Sequence, residues 1–143
     1  MTNIDPTLLT QLKQLVYTPV SCLIEVRNQL GPFLNEYMYQ DALAIEFAQR
    51  GLPFQKEYYF SINYKGEIIQ HKHYVDFLFG EGDERMLIEC KAIGTIGSDQ
   101  RQQLWNYMRL TGIKVGILYN FAPVKAQIER YYLPDDSPMM QAF

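Results

Sequence analysis

The segment of residues 73–92, HYVDFLFGEGDERMLIECKA, decides the fold, because it contains two strand patterns joined by a glycine-rich turn. In its first half, Asp76 stands within an alternating and otherwise apolar strand pattern. In its second half, the two-residue period places Glu89 and Lys91 side by side on one face of the next strand. A tight turn favours an antiparallel hairpin, in which cross-strand neighbours meet. The sequence therefore predicts that the carboxylates of Asp76 and Glu89 converge at one end of this hairpin.

The remaining elements are predicted from periodicity and from turn residues. A helical pattern covers residues 8–16, and Thr18 followed by Pro19 indicates the N-cap and first position of a new helix. Further patterns predict helices over residues 35–50 and 99–111, and strands over residues 54–62, 68–69, 73–79, 86–92, 115–121 and 126–133, the last as an edge strand. The buried stripe of the helix over residues 35–50 would include Tyr39, Ala42, Leu43, Ile45 and Phe47.

The resulting order, summarised as ααβββαββ, indicates an α/β (α+β) fold in which a central mixed β-sheet is flanked by helices. We expect one domain over residues 1–133. The last ten residues, 134–143, begin with a run of proline, aspartate and serine and are predicted to be an irregular tail.

Composition excludes several classes of protein. With 48% hydrophobic and 20% charged residues in 143, the chain is neither disordered nor collagen-like. It has neither a membrane-length apolar run nor a signal-peptide pattern, and its two cysteines form no CxxC, so we expect no membrane association and a cytoplasmic protein. The 11 Tyr and 8 Phe residues suggest an exposed aromatic surface and a homodimer. Since the net charge is −3, any binding to nucleic acid must depend on a local basic patch or on metal ions.

The converging acids are the first candidate functional group. Two carboxylates in a semi-buried cleft repel each other and need a cation. Oxygen ligands without His or Cys favour Mg²⁺ or Mn²⁺ over Zn²⁺. Lys91 could orient or deprotonate a water molecule or stabilise a phosphoryl oxygen. In the alternative interpretation, Glu89 and Lys91 form an ordinary ion pair, and Arg85 or Lys72 neutralises Asp76.

Several stretches in order resemble a known family. They are residues 30–34 (LGPFL), 36–43 (EYMYQDAL), 74–77 (YVDF), 87–92 (LIECKA), 103–112 (QLWNYMRLTG) and 115–121 (VGILYNF). Asp76 followed by Glu89-Cys90-Lys91 resembles the PD-(D/E)XK nuclease superfamily, and the surrounding text is similar to the bacterial GxxExxY protein family. The resemblance implies a restriction-endonuclease-like fold and a divalent-metal-dependent nuclease acting on nucleic acid, DNA in preference to RNA.

The resemblance also implies roles for particular residues. Asp76, Glu89 and the backbone carbonyl of Cys90 would ligate the divalent metal ion. The first-helix acid of the superfamily would be Glu36 or Glu46, because the chain lacks a second glycine after its Gly-Pro and is out of strict register there.

Two further residues receive roles from the same resemblance. Lys91 would position or activate the attacking water. Gln103 matches a glutamine that superfamily members aim at the site, or it is a surface residue in a glutamine-rich run. A different class of function stays open, in which the chain is a non-catalytic module that keeps the nuclease fold and binds nucleic acid or oligomerises.

Weaker candidates lie around these residues. His71 and His73 could contact phosphate or form part of a solvated face. A local basic rim or ordinary surface charge is formed by Lys65, Lys72, Arg101 and Arg109.

Overall fold

The computed structural model describes residues 4–143, which form three helices and two β-sheets. The helices are α1 (Pro6–Leu30), α2 (Glu36–Gln49) and α3 (Ser98–Thr111). The strands are β1 (Phe54–Tyr58), β2 (Ile62–Tyr64), β3 (Glu67–Ile69), β4 (Val75–Phe79), β5 (Met86–Lys91), β6 (Val115–Asn120), β7 (Gln127–Tyr132) and β8 (Gln141–Ala142).

The main sheet has the strand order β1-β4-β5-β6-β7-β8. Among the strands of the described residues, only β5 and β6 pair in parallel, and α3 makes the crossover that a parallel pair requires. The β2–β3 hairpin forms a separate two-stranded sheet. The predicted mixed sheet flanked by helices is therefore confirmed. The strand predicted over residues 54–62 is divided into β1 and β2, and β8 is an addition to the predicted order.

Each face of the main sheet has its own apolar core. Ile88 and Cys90 of β5 belong to the core that includes α1 and α2. Leu87, on the opposite face of β5, packs in the core that contains Leu104 of α3. This alternation along β5 is the predicted one, and it turns Glu89 and Lys91 toward the α3 side.

The prediction of a helix start at Thr18 is wrong, because α1 runs without interruption through Pro19. A proline inside a helix removes one hydrogen bond and disfavours the turn before it. Val16, Pro19 and Leu23 are nonetheless all buried at helical spacing. Burial of this continuous stripe outweighs the local preference for a break.

The buried stripe of α2 is narrower than predicted. Tyr39, Leu43 and Phe47 are fully buried at intervals of four residues. Ile45, predicted to be buried, is 57% exposed because it lies on the opposite side of the helix.

The prediction of an irregular tail over residues 134–143 is also wrong at its end. Strand β8 pairs with β7, so β7 is not the edge of the sheet. The backbone N–H of Phe143 donates to the Arg130 carbonyl, and Arg130 Nε donates to the Phe143 carbonyl, at 3.0 and 2.9 Å. These contacts are non-local, and the polar turn before them carries no sign of the pairing.

Among the described residues, no helix is both long and apolar enough to cross a bilayer.

Candidate active site

Asp76 and Glu89 lie at the point where the β4–β5 ladder ends. The ladder pairs Phe79 with Met86 and ends at the pair Phe77–Ile88. Beyond it, the backbone N–H of Asp76 donates to Glu89 Oε1 at 3.0 Å. The backbone N–H of Cys90 donates to Asp76 Oδ2 at 2.8 Å. Each acid is thus fixed by the backbone of the neighbouring strand, and the two carboxylates are held together.

The two acids are held in an environment that disfavours their double ionisation. Glu89 is only 3% exposed. Burial raises the pKa of Glu89, and the charge of Asp76 raises it further against the opposing effect of Lys91. Burial likewise raises the pKa of Asp76, although the hydrogen bond from Cys90 lowers it, and the charge of Glu36 adds to the rise. A cation near this pair would relieve both effects.

Lys91 and Gln103 are in direct contact. Lys91 Nζ donates to Gln103 Oε1 at 2.7 Å and lies 3.6 Å from Glu89 Oε2. Gln103 Nε2 in turn donates to the Tyr107 hydroxyl at 3.4 Å. Gln103 is therefore bound to the lysine of the site through its side chain. Arg85, the alternative partner of Asp76, instead donates to the Gly82 carbonyl.

Of the two candidate acids on α2, only Glu36 acts on the pair. Its charge raises the pKa of Asp76. Glu46 forms an ion pair with Arg50 at 2.6 Å. Glu36 lies in the first turn of α2, so this end of the helix lies near Asp76.

Gln40 is a site residue that the sequence analysis missed. Its Nε2 donates to Glu36 Oε2 at 3.4 Å, and its side-chain amide lies close enough to Asp76 to lower the pKa of that acid. Gln40 is therefore near both the helix acid and the strand acid. The available signal was its position four residues after Glu36, which puts both side chains on one helix face.

Glu57 is a second residue that was missed. In β1, Lys56 pairs with Phe77 and Tyr58 pairs with Val75, so Glu57 lies across from Asp76. Its φ of 56° is left-handed, a conformation that costs about 1–3 kcal/mol for a residue other than glycine. Such strain depends on tertiary context, and the strand pattern gave no indication of it.

The predicted histidine candidates and the arginine Arg101 of the basic rim bind to groups other than the two acids. His71 Nε2 lies 2.7 Å from the Phe60 carbonyl, and its Nδ1 accepts from the backbone of His73. Arg101 makes a bidentate ion pair with Glu129, both bonds at 2.8 Å. Arg101, one of the four residues of the predicted basic rim, is therefore already neutralised.

Asp76 and Glu89 are the side chains best suited to a metal ion. Within residues 4–143, no group of three or more His, Cys, Asp or Glu side chains is arranged to hold one. The Asp76–Glu89 pair still fits a divalent ion in its chemistry, because both donors are carboxylate oxygens and both resist ionisation without a counter-charge.

The chain belongs to the PD-(D/E)XK nuclease superfamily, whose family model matches residues 13–131. The predicted superfamily and the restriction-endonuclease-like fold are thereby confirmed, and the GxxExxY assignment stays a prediction. Membership indicates nuclease activity on nucleic acid, and nucleases of this superfamily generally use divalent metal ions.

The chain was also compared with curated proteins and with solved structures. No curated protein matches the chain. The crystal structure of SSO0001 is similar at a TM-score of 0.49 and 17% identity, over 80% of this chain and 77% of that one. A similarity at this level carries no argument about function.

Proposed function

We propose that the protein is a divalent-metal-dependent nuclease that hydrolyses phosphodiester bonds, with DNA preferred to RNA and Mg²⁺ or Mn²⁺ as the metal ion. The observation that carries the proposal is the pair of acids fixed by each other's strands, with Lys91 Nζ 3.6 Å from Glu89. Membership of a nuclease superfamily supports the same conclusion.

Asp76 and Glu89 would hold the metal ion, together with the backbone carbonyl of Cys90. The Cys90 N–H points to Asp76. Because hydrogen-bonded residues of an antiparallel pair exchange both backbone bonds, the N–H and C=O of one strand residue point to the same side. The Cys90 carbonyl is thus directed toward the acids, while its thiol lies in the core. Glu36 would add a carboxylate, directly or through water.

Lys91 would act on the substrate or on the attacking water. A bound divalent ion supplies Lewis-acid polarisation of the phosphoryl group and offsets the charge that develops on the leaving oxygen. The Lys91 side chain is 16% exposed, and the hydrogen bond from its ammonium group to Gln103 fixes its position. From there it can donate a hydrogen bond to a phosphoryl oxygen or orient a water molecule. Gln103 is a positioning residue for this lysine.

Hydrolysis of labelled DNA and RNA with Mg²⁺ or Mn²⁺ tests the proposal. Asp76→Asn and Lys91→Ala should each lower the cleavage rate by about a hundredfold or more. Lys114→Ala is the matched control, because Lys114 pairs with Asp135 away from the site and should leave cleavage unchanged. Equal residual cleavage in wild type, Asp76→Asn and Lys91→Ala would show a contaminating nuclease and remove the assignment.

A non-catalytic module that binds nucleic acid or oligomerises is the second candidate. It is favoured by the lack, within the described part of the chain, of a three-ligand metal cluster. Binding of nucleic acid in EDTA, without turnover when Mg²⁺ or Mn²⁺ is supplied, would establish this function instead of the nuclease.

Two further properties belong to the proposal. A cytoplasmic location is supported by Cys22 and Cys90, which are both buried free thiols. A homodimer is the second property, and it is supported by large aromatic side chains on the surface, among them Phe33, which is 71% exposed. Light scattering that shows a monomer at all concentrations would end the dimer proposal.

A further inference from the structure

The segment between β1 and β4, residues 59–74, forms an arm beside the candidate active site. The chain leaves the main sheet after Tyr58, forms the β2–β3 hairpin, and re-enters the sheet at Val75, one residue before Asp76. Large side chains that would normally be buried are exposed on this arm. They are Tyr59, Tyr64, Ile68, Ile69 and Tyr74.

Tyr59 and Tyr74 form an exposed aromatic pair at the base of the arm. Their ring centroids lie 5.1 Å apart with an interplanar angle of 48°. Tyr59 is 60% exposed and Tyr74 is 37% exposed. Tyr58 pairs with Val75, and Asp76 follows directly, so the tyrosine pair lies next to the acids. Exposed rings at this position can stack with a planar ligand that reaches the site.

A cleft of about 360 Å³ lies between the arm and α3. Its lining includes His73 from the arm, and Gln102, Gln103 and Asn106 from α3. Gln103 also binds Lys91, so the cleft adjoins the candidate active site. Side-chain amides present both donors and acceptors, which match the edges of nucleobases.

The cations near the cleft are largely occupied by other groups. Arg101 is held by Glu129. Arg109 lies over the Trp105 ring at 4.4 Å and donates to Asn106. Binding of a duplex depends chiefly on neutralising its phosphates, and Arg101 does not supply that charge because Glu129 neutralises it. Single strands are instead bound by stacking of bases on aromatic rings combined with a few cations, and the arm carries Lys65 and Lys72.

We propose that the substrate is single-stranded nucleic acid, whose unpaired bases stack on Tyr59 and Tyr74 and whose base edges meet the amides of the adjoining cleft. This inference rests on the proposed nuclease function only for placing the phosphodiester at Asp76 and Glu89. DNA and RNA share the chemistry of exposed bases, and the test separates them.

Binding of fluorescent oligonucleotides, measured by anisotropy with Ca²⁺ in place of Mg²⁺, tests the inference. Single-stranded DNA and RNA are compared with a duplex of the same sequence. We expect tighter binding of the single strands, and about a tenfold loss of their affinity in Tyr59→Ala and in Tyr74→Ala. Tyr59→Phe and Tyr74→Phe keep the rings and should bind as wild type does. Tyr17→Ala removes a tyrosine on α1 that is even more exposed, at 75%, and is the matched control.

Three results would overturn the inference: a duplex bound as tightly as the single strands, unchanged affinity in both alanine variants, or no binding of any oligonucleotide. Cleavage assays with Mg²⁺ or Mn²⁺ separate this inference from the proposed function. Ring-dependent binding of single strands without cleavage would contradict the nuclease and leave the binding surface intact. Cleavage that depends on Asp76 but prefers duplexes would support the nuclease and contradict the preference for single strands.

Discussion

Replacing Tyr39 by Phe should destabilise the protein through a single oxygen atom. The Tyr39 hydroxyl donates to the Gly31 carbonyl at 2.6 Å and accepts from the backbone N–H of Leu34 at 3.1 Å. It thereby ties together the turn between α1 and α2, after which α2 begins with Glu36. The ring is fully buried and stacks on Phe121 at a centroid distance of 4.4 Å.

Phenylalanine keeps the ring packing and creates no cavity, so the loss is confined to the two hydrogen bonds. A buried polar group left without a partner costs about 1–3 kcal/mol. Gly31 and Leu34 are only half-buried, so water can partly replace the hydroxyl. We therefore expect a loss of about 2 kcal/mol in the free energy of unfolding, with a fall in Tm of roughly 8 °C.

Urea unfolding measures this loss, and the m value should not change. Tyr37→Phe is the matched control, since Tyr37 lies on the same helix but is 56% exposed, and it should alter stability by less than about 0.5 kcal/mol. If Tyr39→Phe is as stable as Tyr37→Phe, the hydroxyl does not hold the turn, and the reasoning is refuted.

Two further predictions concern the site. The pKa of Glu89 in the folded protein lies above its ordinary value of 4.5. At a pH between the ordinary pKa and the raised pKa, the folded state holds a proton that the unfolded chain has released. In EDTA, the free energy of unfolding should therefore fall as pH rises through this window, and it should fall less steeply in Glu89→Gln. Equal slopes of unfolding free energy against pH for the wild type and Glu89→Gln, measured by urea titration, would contradict this prediction. Gln103→Leu should lower kcat by about tenfold, because Lys91 loses its 2.7 Å partner. Gln14→Leu, which changes an exposed glutamine of α1, is its control, and an equal effect of both variants on kcat would rule out the positioning role.

The parts of the fold that could be predicted from sequence are those fixed by local periodicity. The two-residue alternation placed Glu89 and Lys91 on one face of β5, and the structure has them there, turned toward α3. Helix α3, predicted over residues 99–111, begins one residue earlier at Ser98. Apolar alternation and helix-ending glycines depend on residues that are close in the chain, so they can be recognised in a single sequence.

Features that depend on contacts between distant segments could not be predicted in this way. Pro19 indicates a helix start locally, but its burial against the core keeps α1 continuous. Strand β8 exists because it pairs with β7 across a polar turn. Gln40 and Glu57 join the site only when α2 and β1 pack beside β4. Motif spacing predicted that Asp76 and Glu89 converge, and only the packed structure shows their neighbours.

A crystal structure of the protein soaked with Mn²⁺, using the anomalous signal to locate the ion, tests the central claim most directly. The account predicts an ion at about 2.0–2.2 Å from carboxylate oxygens of both Asp76 and Glu89, with the Cys90 carbonyl completing the protein ligands. An ion bound elsewhere, or an empty pair in which Asp76 and Glu89 keep only their backbone hydrogen bonds at saturating Mn²⁺, would contradict it.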